Sequence, residues 1–387
     1  MRNGDNVNEN EDYLTIFEMY RLLFDILRCV INDCSVEQER LQGLSSKDWA
    51  ALYAIAKRQG VTAVAFEKIQ ALPKELAPPR ELAMKWMSHS MAIEKQTRAI
   101  YQRCASFAQL MHEHGLHTLV LKGVAVSQYY PNPWHREFGD LDCYLYKNDS
   151  GKVTWNGCYE EGNCIAEQAG YEVKRGHYKH SHINYEGLEI ENHQFSLAIK
   201  DGKDTKALEH HLRRLVEQQG GERAIGDSMM CTPSADFNAL FLTAHAMSHF
   251  LYESIKVRHV MDWALFLKRE QDKVDWGSFW HWCDKMHYTR FVQCLNYICV
   301  HQLGLQIHAF VVEESEATKR LATRMLQDIL EGDSLYTKGY KGLRFRIALA
   351  ASYFKSMWKF HRVYQRSALW LLAKRAMGML VKEVRLE

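Results

Sequence analysis

Along most of this chain apolar residues recur at the spacing of a helix, and one internal stretch alternates instead. Leu14, Phe17, Tyr20, Leu23, Phe24, Ile26 and Leu27 share a helical face, which predicts a helix over 13–31. Ser46-Lys47-Asp48-Trp49 opens a second helix ending at Gly60, and a third covers 61–72. Pro78-Pro79-Arg80 starts a long helix that continues to His114 and stops at Gly115.

The period changes at His117. Residues 118–121 form a short buried strand, and 123–130 a helix closed by Pro131. A strand covers 138–146 and a helix 162–169. Further strands are expected at 171–174, 181–185 and 188–197, with Glu186-Gly187 as a turn. Helical spacing returns after Asp204, in 235–251, 257–268, 276–287, 291–303 and 314–330. A basic helix pair spans roughly 343–382.

The expected fold is α+β. Residues 1–12 are polar and expected to be disordered, 13–115 are expected to be helical, and 116–202 to form a small mixed-sheet α/β domain. A helical domain follows at 203–335, then a basic aromatic helical tail at 336–387. Composition agrees with a globular protein, with 47% hydrophobic and 25% charged residues. The 10 cysteines contain no Cys-x-x-Cys pair, which suits reduced thiols. No signal segment opens the chain and no apolar run reaches a bilayer span, so a cytoplasmic protein is expected.

Net charge is only +2, but residues 338–387 hold twelve Lys and Arg against two Glu, leaving the remainder near −8. Phe345, Tyr353, Phe354, Trp358, Phe360, Tyr364 and Trp370 lie among those cations. Interleaved aromatics and cations over 338–385 suit RNA or an acidic membrane surface. The same stripe also suits a helical core with solvated charges, the more economical expectation.

The candidate chemistry begins at Asp140 and Asp142. Alternate residues of a strand share a face, so the two carboxylates leave the sheet side by side and call for a hard cation such as magnesium. A two-metal site for phosphorus chemistry adds a third carboxylate on a neighbouring strand. Glu191 is that candidate, and Glu189 on the same face competes with it. Lys122-Gly123, between a strand and a helix start, suits an anionic phosphate, and Arg136 could fork onto phosphate oxygens or pair with Asp140.

His177, His180, His182 and His193 raise the possibility of zinc, although their spacing is expected to put them on different faces. His193 and His182 are expected beside the acids, with His193 orienting Glu191 or a substrate oxygen. His245 and His249 lie four apart on a helix without the glutamate of a zinc protease. They are expected to pack on the sheet and help hold nucleotide or acceptor, while Asp262 pairs with Arg258.

Leu121-Lys122-Gly123, a helix, Tyr129-Tyr130-Pro131, Arg136-x-x-Gly139-Asp140-Leu141-Asp142 and then Glu191-x-His193 follow in order. So does Trp49-x-x-Leu52-x-x-x-Ala56-x-x-x-Gly60-Val61, with His245, His249, Arg258 and Asp262 downstream. Over most of 49–267 the chain resembles an uncharacterised bacterial nucleotidyltransferase family of the DNA polymerase β-like superfamily, which also contains kanamycin nucleotidyltransferase. The resemblance implies a palm-like sheet with Asp140, Asp142 and Glu191 holding two magnesium ions, for which manganese could substitute. It also implies Lys122, Gly123 and Arg136 at a nucleoside triphosphate, ATP first among them, and a hydroxyl acceptor on a small molecule, protein or RNA. The superfamily usually has Gly-Ser where this chain has Gly123-Val124. That departure supports an alternative expectation, a catalytically degenerate nucleotide-binding or antitoxin-like interaction protein. A metal hydrolase built on the histidine cluster is a further alternative.

Overall fold

The computed structural model describes residues 15–199, 202–218, 223–307, 314–332, 344 and 355–367. The expectations for 1–12 and for most of the basic tail fall outside these residues. The chain is α+β, a mixed sheet set among helices.

Helix α1 (Ile16–Asn32) starts at a reciprocal cap between Thr15 and Glu18, and α2 (Ser46–Arg58) at the equivalent pair Ser45 and Asp48. Helix α3 (Thr62–Ile69) follows, then α4 (Arg80–Glu113), whose 34 residues form the longest helix described.

The sheet is ordered β4-β5-β6-β2-β1-β8-β7, with β3 pairing the far end of β2. Its strands are β1 (His117–Val120), β2 (Asp140–Asp149), β3 (Lys152–Thr154), β4 (Glu172–Lys174), β5 (His180–Tyr185), β6 (Leu188–His193), β7 (Arg223–Ala224) and β8 (Met230–Thr232). Strand β2 runs antiparallel to β1 and parallel to β6, while β8 runs parallel to β1. Residues 223–224 and 230–232 fall where only helical spacing was expected. They are strands too short to show a period of their own.

Two other elements differ from expectation. Helix α5 (Val124–Ser127) has one turn and does not reach residue 130. The Ser127 hydroxyl bonds back to Val124 O, and the amides of Tyr129 and Tyr130 reach carbonyls only three residues back, tightening the coil ahead of Pro131. Strand β6 ends at His193 and not at Leu197. Lys179 O takes the amides of both Gln194 and Phe195, and the buried Glu209 carboxylate takes those of Ser196 and Leu197.

Both sheet faces are covered. Val120, Leu141, Cys143, Leu145, Ile183 and Ile190 pack with Cys104, Phe107 and Met111 of α4 and with Ile165 of α6 (Cys158–Gln168). Leu119, Leu121, Tyr144 and Tyr146 join a larger core. It contains α1 to α3, α7 (Lys203–Glu217), α8 (Ala235–Tyr252), α9 (Val257–Glu270), α10 (Trp276–Met286), α11 (Thr289–Leu303) and α12 (Glu316–Glu331). The helices before and after the sheet therefore share one core.

Where the tail is described, its aromatics are core. Trp358 and Phe360 pack against Phe250 and Tyr252, and buried Lys359 pairs with Asp328 at 2.6 Å and donates to Phe250 O. An RNA or acidic-surface contact over the rest of 338–385 concerns residues outside those described. No helix among the described residues is long and apolar enough to cross a membrane.

Candidate active site

Asp140 and Asp142 begin β2 on the face that also carries Tyr144 and Tyr146. In the parallel ladder with β6, Asp140 stands opposite Glu189 and Asp142 opposite Glu191. The next ladder sets His182 opposite Glu191 and His180 opposite His193. Because facing residues of a ladder project to the same side, the acids and these histidines share one surface. The expectation of different faces for the histidines is thus corrected. His180 and His182 are two apart on one strand, and pairing brings His193 level with them.

The two oxygens of Asp142 look in different directions. Oδ2 lies 3.0 Å from Lys122 Nζ, which is also 3.8 Å from Asp140 Oδ2. Oδ1 lies 3.1 Å from His193 Nε2, which is also 3.3 Å from Glu191 Oε2. One buried carboxylate therefore serves two separate positions for positive charge.

Electrostatics follow from this crowding. Burial raises the Asp140 pKa, and the neighbouring Asp142 charge adds to the effect against the pull of Lys122. For Lys122, burial would lower the pKa, but Asp142 and Asp140 outweigh it and raise it. Burial likewise opposes charge on Glu191, yet hydrogen bonds from His180 and His193 hold its carboxyl well below the usual range. His193 is raised against its burial by Asp142 and Glu191.

Glu191 and Glu189 are clearly different. The Glu191 side chain is 19% exposed and lies 3.1 Å from His180 Nδ1, whereas Glu189 is 59% exposed and pairs with His182 at 2.8 Å. His180, which the sequence suggested only as a zinc candidate, stacks on His193 at 5.0 Å and 14°.

Lys122 leaves the end of β1 and reaches the acids. Gly123 follows with φ +59°, a left-handed conformation that side chains rarely adopt, and an added Cβ would meet Asp140 O at 3.4 Å. Glycine thus lets the corner lie against β2. With α5 reduced to one turn, little helix dipole backs this corner.

Arg136 faces neither Asp140 nor open solvent. Its Nε and Nη2 donate to the two oxygens of Asp262 at 2.9 and 2.8 Å, and Tyr130 donates to the same carboxylate at 2.7 Å. Asp262 was expected to pair with Arg258 one helical turn away. Arg258 instead donates to Glu137 O at 3.0 Å.

A cavity of about 490 Å³ adjoins these residues. Lys122, Gly123, Arg136 and Asp140 line one side, and His245 and His249 of α8 with Lys256 and Arg258 line the other. His245 packs between Phe241 (6.0 Å) and His249 (4.4 Å). Burial, reinforced by Lys122, drives its pKa well below the ordinary value, so the ring facing the cavity is neutral.

Among the described residues, two groups of side chains can hold a metal ion. Asp142, Glu191 and His193 offer ligand atoms within 4.8 Å of one another, and so do His180, His182 and Glu191. Asp140 and Asp142 already close around a cationic nitrogen, and such paired oxygens suit a hard dication.

Comparison with known proteins adds one decisive match. The profile of a family described as uncharacterised nucleotidyltransferase matches residues 45–304. The chain belongs to this family. No curated protein and no solved structure matches the chain. The nucleotidyltransferase match runs from Ser45, the cap of α2, to Gly304, which ends α11. It takes in the whole sheet and the helices from α2 to α11, leaving out α1 and α12 of the shared core.

Proposed function

We propose that this nucleotidyltransferase transfers a nucleoside monophosphate from a nucleoside triphosphate, ATP first among them, to a hydroxyl of a small molecule, protein or RNA, with magnesium bound at Asp140, Asp142 and Glu191. Manganese would serve in its place. The superfamily is that of DNA polymerase β, and the setting is a bacterial cytoplasm. The observation that carries the reading is the division of labour within Asp142, whose two oxygens face two cation positions, one shared with Asp140 and the other with Glu191.

Magnesium bound there would neutralise charge on the phosphate and lower the pKa of the acceptor hydroxyl. The chain's own residues place the groups. Asp140 and Asp142 define the donor side. Lys122 and the Gly123 corner offer positive charge and close backbone approach to the triphosphate. Arg136, held by Asp262, fastens the entrance of β2 to α9. Glu191, held by His180 and His193, would help hold the ion beside the acceptor hydroxyl, whose proton passes to solvent while the acceptor oxygen bonds to phosphorus and the bond to pyrophosphate breaks. His182 steadies the outer edge through Glu189, and the rings of His245 and His249 wall the cavity beside the nucleotide.

The test is incubation with labelled nucleoside triphosphates, magnesium and cell extract, comparing wild type with Asp142→Asn. Label should pass to an acceptor in wild type only. Transfer that survives the substitution overturns the catalytic assignment. Magnesium-dependent nucleotide binding without transfer would favour the non-catalytic binding protein, for which Gly123-Val124 is the motivating feature. A zinc-dependent hydrolysis requiring His180 and His182 would favour the hydrolase.

A further inference from the structure

We propose that the second cation position, at Asp142 Oδ1 and Glu191 Oε2, is a mixed nitrogen–oxygen site in which His193 Nε2 is a direct ligand, so that it selects a divalent transition ion such as manganese over magnesium. This deepens the reading above and rests on it only for the site's role, not for the binding itself.

The argument is one of immobility. The Lys122 ammonium beside Asp140 sits on a flexible stem and can move aside for an incoming ion. His193 cannot. Its side chain is 1% exposed. Its Nδ1 is engaged with Phe195 O at 3.0 Å, where only a protonated nitrogen makes a hydrogen bond, and this leaves Nε2 aimed at the acids. One face of the ring stacks on His180, and Tyr144 meets it edge-on.

The carbonyl that anchors it is fixed in turn. The next two amides, of Ser196 and Leu197, donate to the fully buried Glu209 carboxylate at 3.0 Å each, and the Ser196 hydroxyl donates to it at 2.6 Å. An imidazole whose far nitrogen is tied to a carbonyl is the usual arrangement of a metal-bound histidine.

An ion that reaches both Asp142 Oδ1 and Glu191 Oε2 therefore meets Nε2 as well. The separations of 3.1 and 3.3 Å match the edges of a coordination shell with bonds of about 2.1 Å. Magnesium prefers oxygen alone, whereas divalent transition ions accept imidazole with carboxylate, zinc readily and manganese, the weakest of the series, least so. His180, against Glu191, acts as a positioning residue for that carboxylate.

The probe is manganese(II) with the full-length, chelator-stripped protein, read by electron paramagnetic resonance. One ion per chain should remain bound in a large excess of magnesium, and pulsed spectra should show coupling to a directly bound imidazole nitrogen. His193→Gln should remove the coupling and weaken binding at least about tenfold. His180→Ala, which leaves Nε2 in place, should keep the coupling and covers the case of a poorly folded His193 variant. Wild-type spectra without nitrogen coupling, or coupling and affinity unchanged in His193→Gln, overturn the proposal. Transfer that needs Asp142 while manganese shows no nitrogen coupling refutes this inference alone. Nitrogen-coupled manganese with transfer indifferent to Asp142 refutes the catalytic reading alone.

Discussion

Arg136 and Asp262, 126 residues apart in sequence, are locked together by two parallel hydrogen bonds, with both side chains buried. The pair joins the entrance of β2 to α9. Replacing Arg136 with Ala leaves a buried carboxylate facing Tyr130 without its main countercharge. A loss of about 3–5 kcal/mol is expected, read as a lower urea midpoint at unchanged slope. Replacing Arg136 with Met and Asp262 with Leu together should restore much of it. A single variant as stable as wild type would show that the pair does not hold these elements.

The same pair sets an acid limit. Burial would raise the Asp262 pKa, but Arg136 overcomes it and holds the group below its ordinary 3.8. A carboxyl lowered by folding contributes stability that is complete above the unfolded value and lost as pH falls through the folded one. Below about pH 4, stability should fall with a component of about 1.4 kcal/mol per pH unit from this group. Asp262→Asn should lose that component in denaturation series across the acid range. Equal slopes in both proteins would refute the assignment.

Lys122 makes a different prediction. Its ammonium neutralises Asp140 and Asp142, and a divalent ion would compete for the same oxygens. Lys122→Met should melt lower than wild type in chelator, because two crowded carboxylates then repel. Added magnesium should raise its melting temperature more than that of wild type. Equal magnesium-induced shifts would show that ion and lysine do not share the position.

The third carboxylate can be assigned by comparing neighbours. Glu191→Gln should reduce nucleotidyl transfer at least about a hundredfold, the loss of several kcal/mol of charge stabilisation. Glu189→Gln, on an exposed side chain outside the Asp142 group, should stay within about twofold. The reverse ranking would move the role to Glu189.

Much of this was legible because it is local. The opening at Ser46-Lys47-Asp48-Trp49 and the stop at Gly115 fix helix ends within the chain's own neighbourhood, and alternation alone puts Asp140 beside Asp142. The same alternation put His180 beside His182 on one face, so that contact was readable and the expectation of different faces misapplied the period. Other features depend on distant segments. Nothing near Arg136 announces Asp262, because Arg258 offered a nearer i,i+4 partner. β8 has three residues, and its place beside β1 comes from register with Thr118 and Leu119. Glu209 resembles any helical glutamate until four groups from Tyr144, Ser196 and Leu197 converge on it.

Strand β8 leads through Pro233 directly into α8, whose cap is Ser234, so the wall bearing His245 and His249 is hung from the same sheet as the acids. Arg258 on Glu137 O and Asp262 on Arg136 fasten α9 to that sheet as well. The cleft is thus a fixed mould rather than a pair of jaws. The particle's radius of gyration should therefore stay constant when a nucleoside triphosphate is added. Compounds that fill it should be selected by fit to a surface already formed.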